Sequence, residues 1–458
     1  MDEIRILSPT AILGYGFPPE SLNNGIKRRP HAIAVDAGST DAGPYYLGTG
    51  AGKDMERLAQ FAQVMVLDLK PLLKASLENG IPLIIGSAGG AGGNPHLEGI
   101  SALVQLIAHE EKWRFKLALI QAEIDKDSIR DKLKQGKVNP LGPVPELTEQ
   151  EIDQSVRIVA QMGVGPFIKA LEQGAQVIIA GRASDPSMFA ALPLIHGFDR
   201  GLALHMGKIL ECGAIAAEPG SGSDVMLGTL RKDHFLVEPM NPERRCTVAS
   251  VAAHSLYEQA DPWHLYEPGG MVDLSRVEFR AETERAVRVS GNAYRPSDGY
   301  RIKLEGAALV GYRTICMAGV RDPSVIAHLE SILEETQNRT RGQFKGFEKW
   351  SLHFHVYGKN GVMGALEKDK SVPHEAGLLI EVIAPSQGEA SSICMFVHAF
   401  ILHHGFPGRT STAGNLAFPF SPQDIPMGPV HRFNIYHLMD VEDPLSFFPI
   451  QIIEVGYE

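Results

Sequence analysis

The first 215 residues alternate between short, continuous apolar runs and longer helix-like segments, and this alternation constrains the fold more than any other feature. Continuous apolar runs are typical of strands that are buried on both faces of a parallel sheet. The segments between them are long enough to supply the right-handed helical crossovers that parallel strands require. We therefore predict an α/β fold with a doubly wound, mostly parallel sheet in the N-terminal part. The predicted strands are Ile4–Leu7, His31–Val35, Pro82–Ile85, Phe115–Ile120 and Gln176–Ala180, and the predicted helices are Met55–Asn79, Leu97–Lys112, Asp127–Gln135 and Thr148–Gln173.

The pattern changes after residue 216, where loop-like segments at 218–224 and 239–245 precede a second series of elements. The order β-β-α-β-β-α-β-β is typical of an α+β module with helices on one face of a mixed or antiparallel sheet. We predict an α/β domain over residues 1–216 and an α+β domain over residues 217–458. The strands of the second domain are Tyr300–Leu304, Val310–Val320, Ser351–Tyr357, Gly377–Ile383, Phe433–Leu438 and Gln451–Val455, and its helices are Pro323–Glu335 and Gly388–His404.

The charge balance and the apolar pattern exclude several classes of partner. The chain carries 43 Lys and Arg against 54 Asp and Glu, a formal net charge of −11, and it has no long basic run. This balance argues against nucleic acid or an anionic membrane as a partner. No 18 apolar residues run together, and the N-terminal segment lacks the features of a secretory signal. We expect a soluble, cytoplasmic protein, and the many strand edges of the second domain favour a homo-oligomer.

Gly-rich turns follow the predicted strands, at the edge where open α/β sheets bind their ligands. The densest of these turns runs from Gly86 to Pro95, just before a predicted helix. Exposed N–H groups and the helix dipole would suit a carboxylate, a phosphate or the pyrophosphate of coenzyme A. The turn matches neither a Rossmann fingerprint nor a Walker loop, and a tight turn without a ligand is the alternative. The candidate anion-binding residues are Gly86, Ser87, Gly89, Gly90, Gly93 and Asn94.

Charged residues at the same strand ends are candidates for catalysis. Asp36 closes an apolar run, where a lone carboxylate is costly to bury, so we expect it in a solvated cleft or beside a cation. Arg182, at the mouth of a buried strand, requires a carboxylate of the protein or of a substrate as its partner. Asp185 follows three residues later and either joins that site or caps the helix that begins near Pro186.

A pair of acidic residues, Glu123 and Asp125, follows the Phe115–Ile120 run. In an extended chain, residues two apart point to the same side, so these carboxylates would lie close together. Such a pair would supply an acid and a base, or it would bind a divalent cation such as Mg²⁺ or Mn²⁺. The alternative is that Asp125 caps a helix that begins at Lys126.

Two features of the remaining chain complete the inventory of reactive groups. Arg409 and Asn415 lie in a Gly- and Pro-punctuated loop after a predicted helix, and this loop would suit anion binding or domain docking. The four cysteines show no CxxC spacing, so we expect small buried side chains rather than a zinc site or disulfides. Cys212 follows Glu211, whose carboxylate would raise the pKa of the thiol.

Together these motifs resemble the acyclic terpene utilisation (AtuA-like) family, and the resemblance covers most of the chain. It implies a catabolic protein of the kind encoded beside acyl-CoA carboxylases, dehydrogenases and hydratases. A lyase or hydratase role on an acyl-CoA or a branched carboxylic acid has been suggested for that family. The matching features are Asp36, Ser87–Gly90 followed by Asn94-Pro95, Glu123 with Asp125, Gly181-Arg182 with Asp185, Ile209–Gly213 and the tail Pro407–Pro422.

The sequence predicts a catabolic lyase, either a hydratase/dehydratase or a C–C lyase, that acts on a small carboxylic acid or its CoA thioester. In this hypothesis Asp125 or Glu123 is the general base, and the turn's N–H groups stabilise the developing oxyanion. Arg182 would hold the substrate carboxylate, while Asp36 and Asp185 orient it or bind a divalent ion. The alternatives are a metal-assisted hydrolase of a lactone or amide, and a non-catalytic acyl-CoA-binding subunit of a degradation pathway.

Overall fold

The computed structural model describes residues 1–49, 55–410 and 413–456, and it describes the side chains of the long third helix from residue 63 onward. The chain forms two compact units, one of residues 1–308 and 433–458 and the other of residues 309–432. The strands are β1 (Glu3–Ser8), β2 (Ala32–Asp36), β3 (Leu83–Gly86), β4 (Phe115–Ile120), β5 (Val138–Pro140), β6 (Ser155–Gln161), β7 (Val177–Ala180), β8 (Met226–Arg231), β9 (His234–Pro239), β10 (His264–Glu267), β11 (Gly270–Asp273), β12 (Glu278–Ala281), β13 (Val287–Ser290), β14 (Ala293–Pro296), β15 (Tyr300–Val320), β16 (Ser351–Tyr357), β17 (Ala376–Ala384), β18 (Asp424–Val441) and β19 (Ile450–Val455). The helices are α1 (Pro19–Lys27), α2 (Pro44–Thr49), α3 (Met55–Asn79), α4 (Asn94–Glu111), α5 (Lys126–Lys134), α6 (Glu149–Gln154), α7 (Gly165–Glu172), α8 (Ser187–Ile195), α9 (Arg200–Leu210), α10 (Val248–His254), α11 (Pro323–Gln343) and α12 (Gln387–His403), with 3₁₀ turns at Thr40–Ala42 and Gly364–Leu366.

Five parallel strands in the order β1-β2-β3-β7-β4 form the centre of the first unit. All five were predicted from apolar runs, and β2, β3 and β7 are buried at every position. Successive residues of these strands enter cores on opposite faces, with Ile84 and Ile178 on one side and Ile85 and Ile179 on the other. The predicted α/β class with a mostly parallel N-terminal sheet is confirmed.

Antiparallel strands extend this sheet on both sides. Strands β8, β9, β13 and β12 continue it beyond β1, and β19 pairs with β4 at the other edge. A separate three-stranded sheet has the order β10-β11-β14. The first unit therefore does not end at residue 216, as predicted, but runs to Ala308 and includes the last strand of the chain. The reason is that the strands after residue 216 add to the first sheet instead of starting a new one.

The segment that was predicted as one helix, Thr148–Gln173, is a helix, a strand and a second helix, and that prediction was wrong. Thr148 caps the short helix α6, and β6 then pairs antiparallel with the Lys303–Ala308 part of β15. Pro166 lies in the first turn of α7. The pairing partner of β6 is about 150 residues away in the chain, so no local pattern announces the strand.

The second unit combines an antiparallel sheet with the helices α11 and α12. Its strands β16 and β17 pair with each other, and β17 pairs with the Tyr312–Val320 part of β15. β17 alternates between buried and half-buried positions, and its buried side packs with both helices in one core. The predicted α+β character of this part is confirmed. Across the described ranges, every helix is too short or too polar to cross a membrane.

Candidate active site

The carboxyl ends of the central strands bring three of the candidate residues together in the first unit. β2 ends at Asp36, which lies opposite Gly86, the last residue of β3. β7 ends at Ala180, two residues before Arg182. Because these strands are parallel, Asp36, Ser87 and Arg182 all lie at the edge of the sheet where α/β proteins place their ligands.

Arg182 is only 2% exposed, and protein groups hold its guanidinium. Its Nε donates to Glu305 Oε2 at 2.8 Å, and its Nη1 donates to Ser87 Oγ at 3.3 Å and to the Ala183 carbonyl at 3.0 Å. Asp185 Oδ1 lies 3.7 Å from Nη1. These contacts favour a structural role for Arg182 over the predicted role of holding a substrate carboxylate.

Glu305 is the main partner of Arg182 and is itself 2% exposed. Its Oε1 accepts a hydrogen bond from Thr40 Oγ1 at 2.9 Å and pairs with Lys303 Nζ at 2.7 Å. Burial opposes the charge of Glu305, but Arg182 and Lys303 outweigh burial and lower its pKa to about 2. Glu305 is thus an ionised, fully paired carboxylate.

Lys208, on α9, lies among three carboxylates. Its Nζ is 3.0 Å from Asp185 Oδ2, 2.9 Å from Glu211 Oε1 and 3.5 Å from Glu258 Oε2. These three acids have oxygens within 4.8 Å of one another, a spacing that would suit a divalent cation. The ammonium already lies within 3.5 Å of all three acids, so a metal ion would bind there only if Lys208 moved away.

Two buried acids of the site are held in an environment that favours their neutral form. Burial raises the pKa of Asp36 well above its usual range, and the charges of Asp185 and Glu211 act in the same direction. Asp36 Oδ1 accepts hydrogen bonds from the N–H groups of Ala37 and Gly38, at 2.8 and 3.3 Å. Burial also raises the pKa of Glu211, to about 7, although Lys208 opposes the shift.

Asp185 and Glu267 form a pair of carboxyl groups with opposite pKa shifts. Burial opposes the charge of Asp185, but Lys208 and Arg182 lower its pKa, and 24% of its side chain is exposed. Ser184 Oγ donates to Glu267 Oε2, and burial, reinforced by the charge of Asp185, raises the pKa of Glu267 to about 8. At neutral pH Asp185 is therefore ionised and Glu267 protonated.

The Gly-rich turn after β3 is mainly a packing element. Six of its N–H groups donate within the protein, and the acceptors include main-chain carbonyls of the neighbouring strand ends. A Cβ on Gly92 would lie 2.1 Å from the Arg182 nitrogen, and one on Gly38 would lie 2.2 Å from Gly90 Cα. The turn thus allows three strand-end loops to touch. The six donors come from Ser87, Ala88, Gly90, Gly92, Gly93 and Asn94.

Glu123 and Asp125 do not join Asp36 and Arg182. Glu123 Oε2 accepts from the Asn94 N–H and from Arg157 Nε, both at 3.0 Å. Asp125 caps α5 by accepting from the N–H groups of Asp127 and Ser128, and its hydrogen bonds with Ser128 lower its pKa. Glu123 forms an isolated β-bridge with Val159 of β6, and the two acids have separate partners.

Arg409 and Asn415 lie in the second unit, where both bind main-chain carbonyls. Asn415 Nδ2 donates to the carbonyls of Ile401 and His404 at 2.8 and 2.9 Å, and Asn415 is buried. Arg409 donates to the carbonyls of His403 and Ala413 at 3.4 and 3.1 Å. These bonds fasten the loop to the end of α12.

Several members of the site were not predicted as site residues. Glu305 follows Arg301 and Lys303 in the first part of β15, so its charge gave no distinct signal. Lys208 and Glu211 lie three apart on α9 and so share a face, although only their contact with Asp185 makes them part of the site. Glu267 precedes a Pro-Gly-Gly turn and gives no other local signal. The four cysteines are buried as predicted, and burial and Glu211 raise the pKa of Cys212.

A cavity of about 310 Å³ lies at the opposite edge of the sheet. Its lining comes from the segments that lead into β3 and β7, including Gly80–Pro82 and Gly174–Gln176. Since these segments precede the strands, the cavity is remote from Asp36 and Arg182, and its lining contains only one titratable side chain, Glu172.

The fold and the site define an α/β protein with a buried cluster of carboxyl groups and cations at the carboxyl edge of its parallel strands. The sequence matches the acyclic terpene utilisation family protein AtuA over residues 44–223 and 234–421, which make up most of the chain. The chain belongs to this family, and membership indicates a role in acyclic terpene catabolism. A search of curated proteins and a search of solved structures each found no match.

Proposed function

We propose that this protein is a catabolic lyase, a hydratase/dehydratase or a C–C lyase, that acts on a small carboxylic acid or its CoA thioester. The observation that carries the proposal is the pair Asp185 and Glu267. At neutral pH Asp185 is ionised and Glu267 is protonated. Ser184 precedes Asp185 in the chain and donates a hydrogen bond to Glu267, which links the two groups. Two carboxyl groups with separated pKa values are the usual source of a general base and a general acid.

In a dehydration, Asp185 takes the proton from the carbon next to the substrate carbonyl, and Glu267 gives its proton to the departing hydroxyl. The electron pair of the broken C–H bond forms the new double bond, and water leaves. In a C–C cleavage the base instead takes the hydroxyl proton and the acid protonates the carbon that leaves. Both residues are half-buried, which supports their role as the groups that meet the substrate.

Arg182, Lys208 and Asp36 act as positioning residues in this proposal. Arg182 and Lys208 keep Asp185 ionised and fix its place, since each lies within 4.0 Å of it. Asp36 is a buried acid of the same cluster, and burial raises its pKa. Glu123 and Asp125, which are engaged with Arg157 and with the start of α5, are given no part in the chemistry.

A metal-assisted hydrolase of a lactone or amide is the second candidate function. It is favoured by the convergence of Asp185, Glu211 and Glu258 on one point. In that case a divalent cation would displace Lys208 and activate a water molecule.

Proton exchange in D₂O tests the lyase proposal without knowledge of the natural substrate. The protein is incubated with a set of branched 3-hydroxy and 2,3-unsaturated acids and their CoA thioesters, and NMR follows deuterium entering the carbon next to the carbonyl. We expect exchange with at least one compound and a loss of about 10²–10⁴-fold in Asp185→Asn and Glu267→Gln. Asp125→Asn is the matched control, which should retain the rate.

Absence of exchange with every compound, or unchanged exchange in Asp185→Asn, would contradict the proposal. Lactone hydrolysis that EDTA abolishes would favour the hydrolase instead.

A further inference from the structure

Arg200, the first residue of α9, differs from the other cations near the site. Arg182, Lys208 and Lys303 all have carboxylate partners within 4.0 Å. In the described part of the chain, Arg200 has no carboxylate within that distance, although it is half-buried. A half-buried guanidinium without a counter-charge is an unfavourable arrangement unless a ligand completes it.

Tyr294 fixes the position of Arg200. Its Nη1 donates to the Tyr294 hydroxyl at 3.4 Å, and its guanidinium carbon lies 5.0 Å from the centre of the Tyr294 ring. The Tyr294 hydroxyl in turn donates to the Gly269 carbonyl at 2.8 Å. A Cβ on Gly269 would lie 2.7 Å from the Tyr300 ring, so this ring packs directly on the turn that carries Glu267.

These contacts join Arg200 to the proposed acid. Gly269 lies two residues after Glu267, in the turn between β10 and β11. The charges of Glu267 and Arg200 both act on the Tyr300 hydroxyl. Burial raises the pKa of Tyr300, Glu267 raises it further, and Arg200 lowers it. The tyrosine therefore remains protonated at neutral pH.

We propose that Arg200 binds the free carboxylate of the substrate, with the Tyr294 ring orienting the guanidinium. This inference rests on the proposed function, because that reaction needs a group that binds the substrate carboxylate. Arg182 cannot be that group, since protein groups already occupy its guanidinium. A single guanidinium beside a hydroxyl suits the two oxygens of a carboxylate, whereas the phosphates of coenzyme A require several cations. The substrate class is therefore a small carboxylic acid that carries its charge during the reaction, not a thioester at that end.

Protection of Arg200 from phenylglyoxal, followed by peptide mass spectrometry, tests this inference. The probes are 3-methylbut-2-enoate and 3-hydroxy-3-methylbutanoate, the methyl ester of each, coenzyme A and inorganic phosphate. We expect Arg200 to react, both carboxylates to slow its reaction at least threefold, and the esters to have no such effect. Protection by coenzyme A or phosphate but not by the carboxylates would move the subsite to a phosphate and overturn the proposal, as would the absence of protection by any probe.

Binding of the same carboxylates to variants provides the second measurement. NMR titration should show at least tenfold weaker binding to Arg200→Gln, partial recovery in Arg200→Lys, and wild-type binding in Arg276→Gln. Arg276 is an exposed arginine of the same unit, so its replacement removes an equal charge. Equal affinities of Arg200→Gln and Arg276→Gln would contradict the inference. If the carboxylates protect Arg200 and bind the protein but no proton exchange occurs in D₂O, the carboxylate subsite is supported and only the lyase proposal is refuted.

Discussion

Replacing Gly92 by alanine tests whether the Gly-rich turn after β3 is a packing element or an open cradle for a ligand. Gly92 has φ +68°, and a Cβ there would lie 2.1 Å from the main-chain nitrogen of Arg182. Gly136, after α5, has the same φ of +68°, but a Cβ there would meet no atom within 4 Å. The two variants therefore share the cost of the backbone conformation and differ only in the contact.

The expected difference follows from this geometry. Alanine in the left-handed region costs about 1 kcal/mol at either position. At Gly92 the obstacle is main chain, and it moves away only by stretching the 3.1 Å hydrogen bond from the Arg182 N–H to the Gly92 carbonyl. Overpacking of this kind adds on the order of 3 kcal/mol. We expect Gly136→Ala to lower the free energy of unfolding by about 1 kcal/mol and Gly92→Ala by about 4 kcal/mol.

Urea titrations followed by circular dichroism measure both values on the full chain. If the two variants lose the same stability to within about 1 kcal/mol, the turn accepts a side chain and the packing interpretation is refuted. The turn would then be open enough for the anion cradle that the sequence predicts. A large loss in Gly92→Ala alone supports the view that its glycines are there to let Arg182 reach its place.

Three further changes probe the charged groups. The pKa of Glu267 is raised to about 8, so the stability that its protonated form contributes is lost as pH rises toward 8. In urea titrations, Glu267→Gln should therefore reduce the fall in unfolding free energy between pH 6.5 and 8.5 by roughly 1–2 kcal/mol. An unchanged fall in the variant would contradict the raised pKa. Asp125→Ala should lower stability by about 1 kcal/mol through loss of the α5 cap and leave proton exchange intact, so a loss of exchange would return Asp125 to the site. Lys208→Met removes the ammonium that contacts Asp185, Glu211 and Glu258, and we expect about 3–5 kcal/mol of destabilisation, partly recovered by Mg²⁺ in thermal melts. An equal response of the wild type to Mg²⁺ would show that the ammonium does not block a metal site.

The parallel centre of the fold was predictable because its signal is local. Strands β2, β3 and β7 are buried on both faces, so each appears as an uninterrupted apolar run, and the edge that bears Asp36 and Arg182 follows from the parallel arrangement. The strand β6 was missed because its seven residues are held in a strand by pairing with β15, which lies far along the chain. Strands β8 and β9, which extend the first sheet, were also not predicted; they lie between the loop-like segments 218–224 and 239–245.

The site was predictable only where a residue follows a strand directly. Asp36 and Arg182 were placed correctly at the edge, but the partners that determine their chemistry come from elsewhere: Glu305 lies 123 residues after Arg182. For the acidic pair, closeness in sequence did not reveal the partners. Glu123 and Asp125 are two residues apart, yet Glu123 binds Arg157 and the Asn94 N–H, whereas Asp125 caps α5.

The charge balance of the site explains why the pKa of several of its acids is raised. If every acid were ionised, six carboxylates would face three cations in a mostly buried space, which is unfavourable. Raised pKa values at three of these acids reduce this excess of negative charge. The same requirement that makes the cluster stable thus favours the protonated form of carboxyl groups, which the proposed general acid would use. The cations are Arg182, Lys208 and Lys303, the acids with a raised pKa are Asp36, Glu211 and Glu267, and the other acids are Asp185, Glu258 and Glu305.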